Sequence, residues 1–474
     1  MHEYDGVVQD LSPSGVAAGL ARLGAGPREP DPHDEAHLAA AEAGARARFE
    51  IAEEHRRNPH LIQANLDVSC YEREYAPAAE RAEARRRHLA AWPTAVDAAL
   101  ESLDMVSAPA ASALLAAVRG LAEDVSDEDA LSAHGRLVAR IEHFAAEGDP
   151  DPGYGADALA HLVADPEAMS IDLSRLAEQA ERERDRLKDL LRESCRRLDP
   201  TVTAADLIVR LLADHPDDPE AIYEQARAQV GEVTAFTVAK KLLPDPGGEC
   251  RVGPAPPARR MVMAMMSWSA PFEPDAPSWY YVTPPDPSWS EEAKHEWLSV
   301  FSSTTLPVIT AHEVTPGHYA HGRMLREVRG DVRRALASMA FVEGWAHYAE
   351  ELFVEEGFRD GDPRFVIGMC IEALIRVTRL AVAIGIHTGS MTMAEAIHRF
   401  EDDAFQRGPA AEGEALRATW DPTYGRYTWG KLEIQAVRDA AIARWGKRYS
   451  HLRFHEALLG LGAPPLGLME DALG

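Results

Sequence analysis

The stretch LPVITAHEVTPGHYAHG, residues 306–322, carries the most information about how this chain folds and what it binds. Apolar residues such as Leu306 and Val308 lead into a His-Glu pair, which predicts a helix that enters a buried region. A second histidine, His318, follows His312 after six residues. Histidines this close in sequence, with a glutamate beside one of them, are how zinc hydrolases hold their metal and activate water. The stretch therefore predicts a metal-binding helix.

The interval between the two histidines does not suit a continuous helix. The usual short zinc motif has its histidines four residues apart, on one face. Six residues turn an ideal helix through about 600°, so His318 would point about 120° away from His312 and lie about 9 Å further along. Pro316 and Gly317 fall between them, and proline interrupts a helix while glycine tolerates unusual dihedral angles. We therefore expect a local bulge that returns His318 to the face of His312.

A third ligand is predicted in AFVEGWAHYAEELFVEEG, residues 340–357, which has the pattern of an amphipathic helix ending at Gly357. Glu343, His347 and Glu350 follow one another at intervals of four and three, so they form one polar stripe on an apolar helix. If Glu343 joins the two histidines, one coordination position stays open for water, as in a catalytic zinc site. The other interpretation is a stripe that faces solvent.

The rest of the chain predicts a mainly α protein. Apolar residues recur at three- and four-residue spacing through most of it, whereas residues 244–287 are rich in proline, glycine and aromatic residues. The strand candidates there are residues 261–272 and 278–285. Capping boxes are predicted at Ser288–Glu291 and at Thr392–Glu395. We predict a large multi-helix, two-lobed, metallopeptidase-like fold with a central cleft and a small β element.

Three regions are expected along the chain. Residues 1–150 form an N-terminal helical region, and the turn-rich segment 147–157 marks its end. Residues 151–245 are expected to complete the N-terminal lobe with further helices. Residues 246–474 are expected to be the catalytic region, because they contain the metal-binding helices.

The composition limits the partners. The chain has 474 residues with 77 acidic and 49 basic side chains, for a net charge of -28. Phosphate-binding surfaces need clustered lysine and arginine, so nucleic acid and anionic membranes are not expected partners. The sequence contains no run of about 18 apolar residues, so it predicts no membrane-spanning helix. The N-terminal segment MHEYDGVVQDLSPSG lacks the pattern of a signal peptide, and we expect a cytoplasmic protein.

Three motifs together resemble the DUF885 family of presumed zinc metallopeptidases, which is similar to the helical gluzincin peptidases. The family carries His-Glu-x-x-Pro-Gly-His, then Glu-Gly-Trp-Ala, then Tyr-x-x-Gly with a downstream arginine. The resemblance extends over most of the chain, but its specific motifs lie within residues 300–470. The matching residues are His312, Glu313, Pro316, Gly317 and His318, then Glu343, Gly344, Trp345 and Ala346, and finally Tyr427, Gly430 and Arg438.

The resemblance implies a ligand set and a general base. His312, His318 and Glu343 would bind one Zn²⁺, and Glu313 would take a proton from the attacking water. Imidazole and carboxylate also bind Mn²⁺, Co²⁺ and Fe²⁺, so the residues do not fix the metal. The implied activity is that of a zinc metallopeptidase acting on a peptide or small amide.

Other residues have a predicted role with an open alternative. Tyr427 is the candidate donor to the developing oxyanion, or a core tyrosine. Arg438 binds a substrate carboxylate, or it pairs with an acidic neighbour. His321 and His347 are candidates for substrate contact, for support of the ligands or for direct metal binding.

Two further functions stay open at this point. The same residues could hydrolyse a non-peptide amide or an ester, because the motifs specify water activation and not the acyl group. A non-catalytic relative that binds peptides in the helical cleft is the second alternative. The intact ligand set and Glu313 argue against the latter.

Overall fold

A computed structural model describes residues 4–260, 262–273 and 276–474. Within these residues the chain forms 21 α-helices and three short strands, which confirms the mainly α fold with a small β element. The helices of the N-terminal part are α1 (Pro13–Leu20), α2 (Pro32–Arg46), α3 (Glu54–Arg57), α4 (Pro59–Leu66), α5 (Ala78–Ser102), α6 (Ala108–Gly120) and α7 (Glu128–Glu147). The next four are α8 (Ala156–Ala164), α9 (Leu173–Leu198), α10 (Ala204–Leu212) and α11 (Pro219–Ala239).

Along the chain, a three-stranded sheet follows these helices and precedes the C-terminal ones. Its strands are β1 (Cys250–Pro254), β2 (Ala264–Ser267) and β3 (Ser278–Val282). The remaining helices are α12 (Glu291–Ser299), α13 (Leu306–Glu313), α14 (His318–Met324), α15 (Asp331–Ala335), α16 (Met339–Glu355), α17 (Pro363–His387), α18 (Met393–Ala404), α19 (Gly408–Arg417), α20 (Arg426–Trp445) and α21 (His451–Leu459).

The sheet has the order β1-β3-β2, with β1 parallel and β2 antiparallel to β3. Strands β2 and β3 fall inside the two segments predicted as strands; Met261, at the start of the first segment, lies outside the described residues. Strand β1 was not predicted, because CRVGP contains both glycine and proline and has no alternating pattern.

The described residues form two large hydrophobic cores and one small cluster of Ala110, Leu114 and Trp420. One core draws on helices α4 to α7 and contains Trp92 and Val96. The other extends from Leu159 to the C-terminal end and includes Leu187 and Leu191 of α9. Residues 151–245, which were expected to complete the N-terminal lobe, contribute to the second core: the apolar stripe of α9 packs against α17, in the core that also contains α13 and α16.

Helix α17 is apolar around nearly its whole circumference, and a helix of this kind becomes the centre of a core. Helices α16 and α20 cross close to it and to each other. Their contact explains two motif glycines. A Cβ atom on Gly430 would lie 2.0 Å from the carbonyl oxygen of Ala340 and 2.9 Å from the Cα atom of Gly344. The backbones of the two helices can approach this closely only because neither position has a side chain.

We expect Gly430→Ala to lower the free energy of unfolding by about 3 kcal/mol, because the added methyl group forces α16 and α20 apart. Urea unfolding measures this. The control is Gly231→Ala on α11, where the glycine is exposed and a Cβ would meet open space. There the free energy should stay constant or rise by about 0.5–1 kcal/mol. Equal stability of Gly430→Ala and the wild type would contradict the close packing.

Candidate metal centre

The segment predicted to bind a metal, residues 306–322, lies in two helices and not in one bulged helix. Helix α13 ends at Glu313, and α14 begins at His318. All residues of α13 are buried, as its apolar approach predicted. The break brings the rings of His312 and His318 to a centroid distance of 4.7 Å at 87°. The two imidazoles therefore meet as expected, but through a change of chain direction.

Two motif residues hold the break in place. A Cβ on Gly317 would lie 1.8 Å from the carbonyl oxygen of His312, so any side chain at this position would push α14 away from α13. The indole nitrogen of Trp345 donates a hydrogen bond of 2.8 Å to the carbonyl oxygen of Pro316. Since Trp345 lies on α16, this bond fixes the break against the helix that carries Glu343.

Glu343 completes a set of three donor atoms. Its Oε2 lies 3.3 Å from Nε2 of His318 and 3.6 Å from Nε2 of His312. One donor atom of each residue lies within 4.8 Å of the other two. The Glu343 side chain is 13 % exposed, so the stripe on α16 does not face solvent. Two imidazoles and one carboxylate are a donor set that fits Zn²⁺ and leaves one position open.

A buried carboxylate supports the first histidine. Oε1 of Glu350 lies 2.6 Å from Nδ1 of His312, and Oε2 lies 3.2 Å from Nδ1 of His347. Burial alone would raise the pKa of Glu350, but Arg376, 3.2 Å away, and His347 hold it far below its ordinary range. An ionised Glu350 accepts the Nδ1 proton of His312 and leaves Nε2 with its lone pair toward the site, which is how metal-binding histidines are commonly oriented.

Glu313 stands apart from this network. Its Oε2 is buried and has no hydrogen-bond partner among the residues the structure describes. Burial raises the pKa of the Glu313 carboxyl, while the neighbouring His318 and His312 act in the opposite direction. A buried carboxylate oxygen without a partner is costly, so such a group is either strained or waiting for a ligand.

The donor atoms open into a cavity of about 350 Å³ that His312, Glu313, His318, Glu343 and Tyr427 help to line. The ring of Tyr427 lies 6.2 Å from that of His312, at 22°. Its hydroxyl oxygen accepts a hydrogen bond of 3.1 Å from Arg417, which leaves the hydroxyl proton available to a further acceptor. Tyr427 is thus a buried residue that also borders the site.

A larger cavity of about 690 Å³ adjoins the first. The two share lining residues Val262, Ala337, Met339 and Arg417. The larger one is bordered by α2 and α4 of the N-terminal part and by α17 and α20 of the C-terminal part. The candidate metal centre therefore lies next to a space between elements of both large cores.

Three residues predicted to contact substrate lie elsewhere. Arg438 forms an ion pair with Glu355 at 2.7 Å and is not among the residues that line the smaller cavity. This arrangement agrees with the alternative in which Arg438 pairs with an acidic neighbour. Nε2 of His321 bonds the carbonyl oxygen of Gly462 at 3.1 Å in the core. His347 is buried, and its Nδ1 contacts the carboxylate of Glu350.

Sequence analysis missed Glu350 and Arg376 as site residues. Glu350 lay in the polar stripe, seven residues after Glu343, and this spacing was the available signal. Arg376 is a charged residue inside an apolar helix, paired with Glu372 one turn earlier at 2.9 Å. Buried charges are rare unless they are paired, so this pattern was also informative.

Helix α16 begins at a buried carboxylate that sets its position. Glu167 accepts hydrogen bonds from the hydroxyl of Ser338, at 2.8 and 2.6 Å, and from the backbone nitrogen of Leu466 at 2.9 Å. Ser338 is the N-cap of α16. Burial raises the pKa of Glu167 to about 7 from 4.5, against the effect of these bonds.

The contribution of Glu167 to the free energy of unfolding should therefore decrease as the pH rises. The folded protein keeps a proton on Glu167 that the unfolded chain releases near pH 4.5, so the contribution is full below that pH and is lost as pH rises through about 7. The change is roughly 3 kcal/mol. In Glu167→Gln this component is absent, and urea unfolding of both proteins at pH 5 and pH 7 measures the difference. A constant difference in stability between them would contradict the prediction.

The fold and this geometry define a helical protein with a candidate divalent-metal centre between α13, α14 and α16. The chain belongs to the DUF885 family, described as "Bacterial protein of unknown function", which matches residues 106–473. This confirms the family resemblance found in the sequence. No curated protein matches the chain.

The solved structures that share the fold include two that are described as putative lipoproteins. One, from Shewanella oneidensis, is described as a "putative lipoprotein of unknown function" and has a TM-score of 0.78 at 20% identity, over 99% of this chain and 94% of that one. The other, from Colwellia psychrerythraea, is described as a "putative lipoprotein" and has a TM-score of 0.77 at 17% identity, over 99% and 92%. These descriptions contradict the predicted cytoplasmic location. Among the helices of the described residues, none is long and apolar enough to cross a membrane.

Proposed function

We propose that the protein is a zinc-dependent hydrolase that cleaves peptide bonds. The observation that carries the proposal is the meeting of His312, His318 and Glu343, with the carboxylate of Glu313 beside them at the wall of a cavity. Three protein donors with an open fourth position are typical of a catalytic zinc site, whereas structural zinc sites use four.

The side chains divide the chemistry between them. A zinc ion bound there supplies Lewis acidity, which makes a water molecule more acidic and polarises a carbonyl group. Glu313 takes a proton from the attacking water and passes it to the leaving nitrogen. The hydroxyl group of Tyr427 donates a hydrogen bond to the oxyanion that develops on the carbonyl oxygen. Glu350 holds His312 in one orientation throughout.

The two adjoining cavities provide room for a peptide beside the site. The smaller cavity, about 350 Å³, and the adjoining one, about 690 Å³, each have the size of a small-molecule pocket, and they share lining residues. In this proposal, a chain of several residues lies across both cavities. The arginines at the smaller cavity are neutralised by acidic partners, as in the pair of Arg379 and Glu414 at 2.6 Å.

A peptide-library digest tests the proposal. The purified protein is incubated with mixed peptides in the presence of zinc and, separately, after removal of metal by a chelator. We expect cleavage that stops on chelation and returns with zinc. Cleavage of amide or ester probes alone would assign the same chemistry to another substrate. Zinc bound at one ion per site without hydrolysis of any probe would contradict the hydrolase and favour a peptide-binding protein.

A further inference from the structure

A second cluster of metal-binding side chains lies outside the cavity already described. His215 and Asp217 belong to the loop between α10 and α11, and His295 lies on α12. One donor atom of each lies within 4.8 Å of the other two. The rings of His215 and His295 have a centroid distance of 4.3 Å. Segments far apart in sequence thus bring two imidazoles and a carboxylate together at the surface.

The hydrogen bonding of His215 fixes which of its nitrogens can bind. Its Nδ1 lies 3.0 Å from the carbonyl oxygen of Pro216, and a carbonyl oxygen only accepts, so Nδ1 carries the proton. In the neutral ring the lone pair is then on Nε2. This atom is buried and has no hydrogen-bond partner in the part of the chain that is described. Histidines that bind metals are held in the same manner, with the other ring nitrogen donating to a carbonyl.

The remaining two side chains are free to complete the set. Asp217 and His295 are exposed, whereas the next residue, Asp218, is engaged as the N-cap of α11. Tetrahedral zinc with bonds of about 2.1 Å separates its ligands by about 3.4 Å. Small rotations of exposed side chains are enough to reach this from the observed arrangement.

We propose that His215, Asp217 and His295 form a second divalent-metal site, which takes zinc or a similar transition metal and fastens the loop to α12. Two imidazoles select such ions over Ca²⁺ and Mg²⁺, which prefer oxygen donors. The same loop already holds the segment before α13, since the backbone nitrogen of Ser303 donates to the carbonyl oxygen of Asp214 at 2.9 Å. A metal here therefore stabilises the support of the helix that carries His312.

Zinc titration of the metal-stripped full chain tests this site by stoichiometry. We expect His295→Ala to bind one zinc ion fewer per chain than the wild type. The control is His398→Ala, an exposed histidine on α18 that pairs with Glu401, and it should bind as many ions as the wild type. An unchanged stoichiometry in His295→Ala would overturn the proposal.

Thermal unfolding gives a second measurement that does not depend on the proposed hydrolase. In His318→Ala, which lacks a ligand of the cavity site, added zinc should still raise the melting temperature by a few degrees, because a ligand that binds only the folded state stabilises it. Calcium should not. The double variant His318→Ala/His295→Ala should show no zinc effect. An equal zinc effect in the single and double variants would overturn the second site and leave the first one standing.

Discussion

Glu313→Gln is expected to keep its metal and to lose turnover by roughly 10³-fold, the scale that a positioned general base contributes. The amide has nearly the same shape as the carboxylate, but it cannot take a proton from water. Since Glu313 is not one of the three donors, zinc affinity should stay close to that of the wild type. Steady-state kinetics on a peptide identified in the library, with zinc content measured on the same sample, separate the two effects.

The matched control is Glu101→Gln, an exposed glutamate on α5, which should leave both turnover and zinc content unchanged. Turnover of Glu313→Gln at the wild-type rate would show that another group acts as the base. Loss of zinc from Glu313→Gln would instead show that this carboxylate is a ligand.

His318→Ala is expected to have the second large effect, through the metal and not through proton transfer. The variant lacks one of three donors, so its zinc affinity at this site should fall by more than the roughly 10–100-fold that loss of a supporting partner costs. Activity at limiting zinc should disappear with it. Isothermal titration with zinc measures the affinity directly.

His143→Ala, an exposed histidine on α7, serves as the comparison and should titrate as the wild type does. Melting curves of metal-free samples check that His318→Ala still folds, since a folded variant is needed for the titration to report on the site. If folded His318→Ala binds zinc at this site as tightly as the wild type, the ligand assignment is wrong.

The meeting of His312, His318 and Glu343 could be predicted because metal binding restricts the residue types. Few sequence patterns place His312, Glu313 and His318 so close together after an apolar approach, and Glu343 repeats the pattern on a second helix. The pairing of the two helices could be expected because each has a buried face. The sequence also showed that an interval of six residues would place His312 and His318 on different faces of a continuous helix, and it showed the proline and glycine that interrupt the helix.

How the conflict is resolved could not be read from the sequence. A bulge and a break use the same two residues, and only tertiary contacts choose between them. The hydrogen bond from Trp345 to Pro316 is one such contact, and it joins residues 29 positions apart. The role of Glu350 depends in the same way on His312, 38 positions away.

The fold shows the same division between local and distant information. The start of α18 was predicted correctly, because the capping box of Thr392 and Glu395 is a local sequence pattern. At the start of α12 the predicted cap, Ser288, was wrong, since Ser290 caps the helix two residues later. Helix α9 packs against α17, which is far away in the sequence. The composition of α9 does not indicate which of the two large cores its apolar stripe joins.

The central claim is that His312, His318 and Glu343 bind one metal ion together. Crystals grown with zinc, measured at the zinc absorption edge, test it directly by anomalous scattering. The account predicts a peak about 2.0–2.2 Å from Nε2 of both histidines and from a carboxylate oxygen of Glu343. A map from zinc-saturated crystals with no peak among these three residues would contradict it.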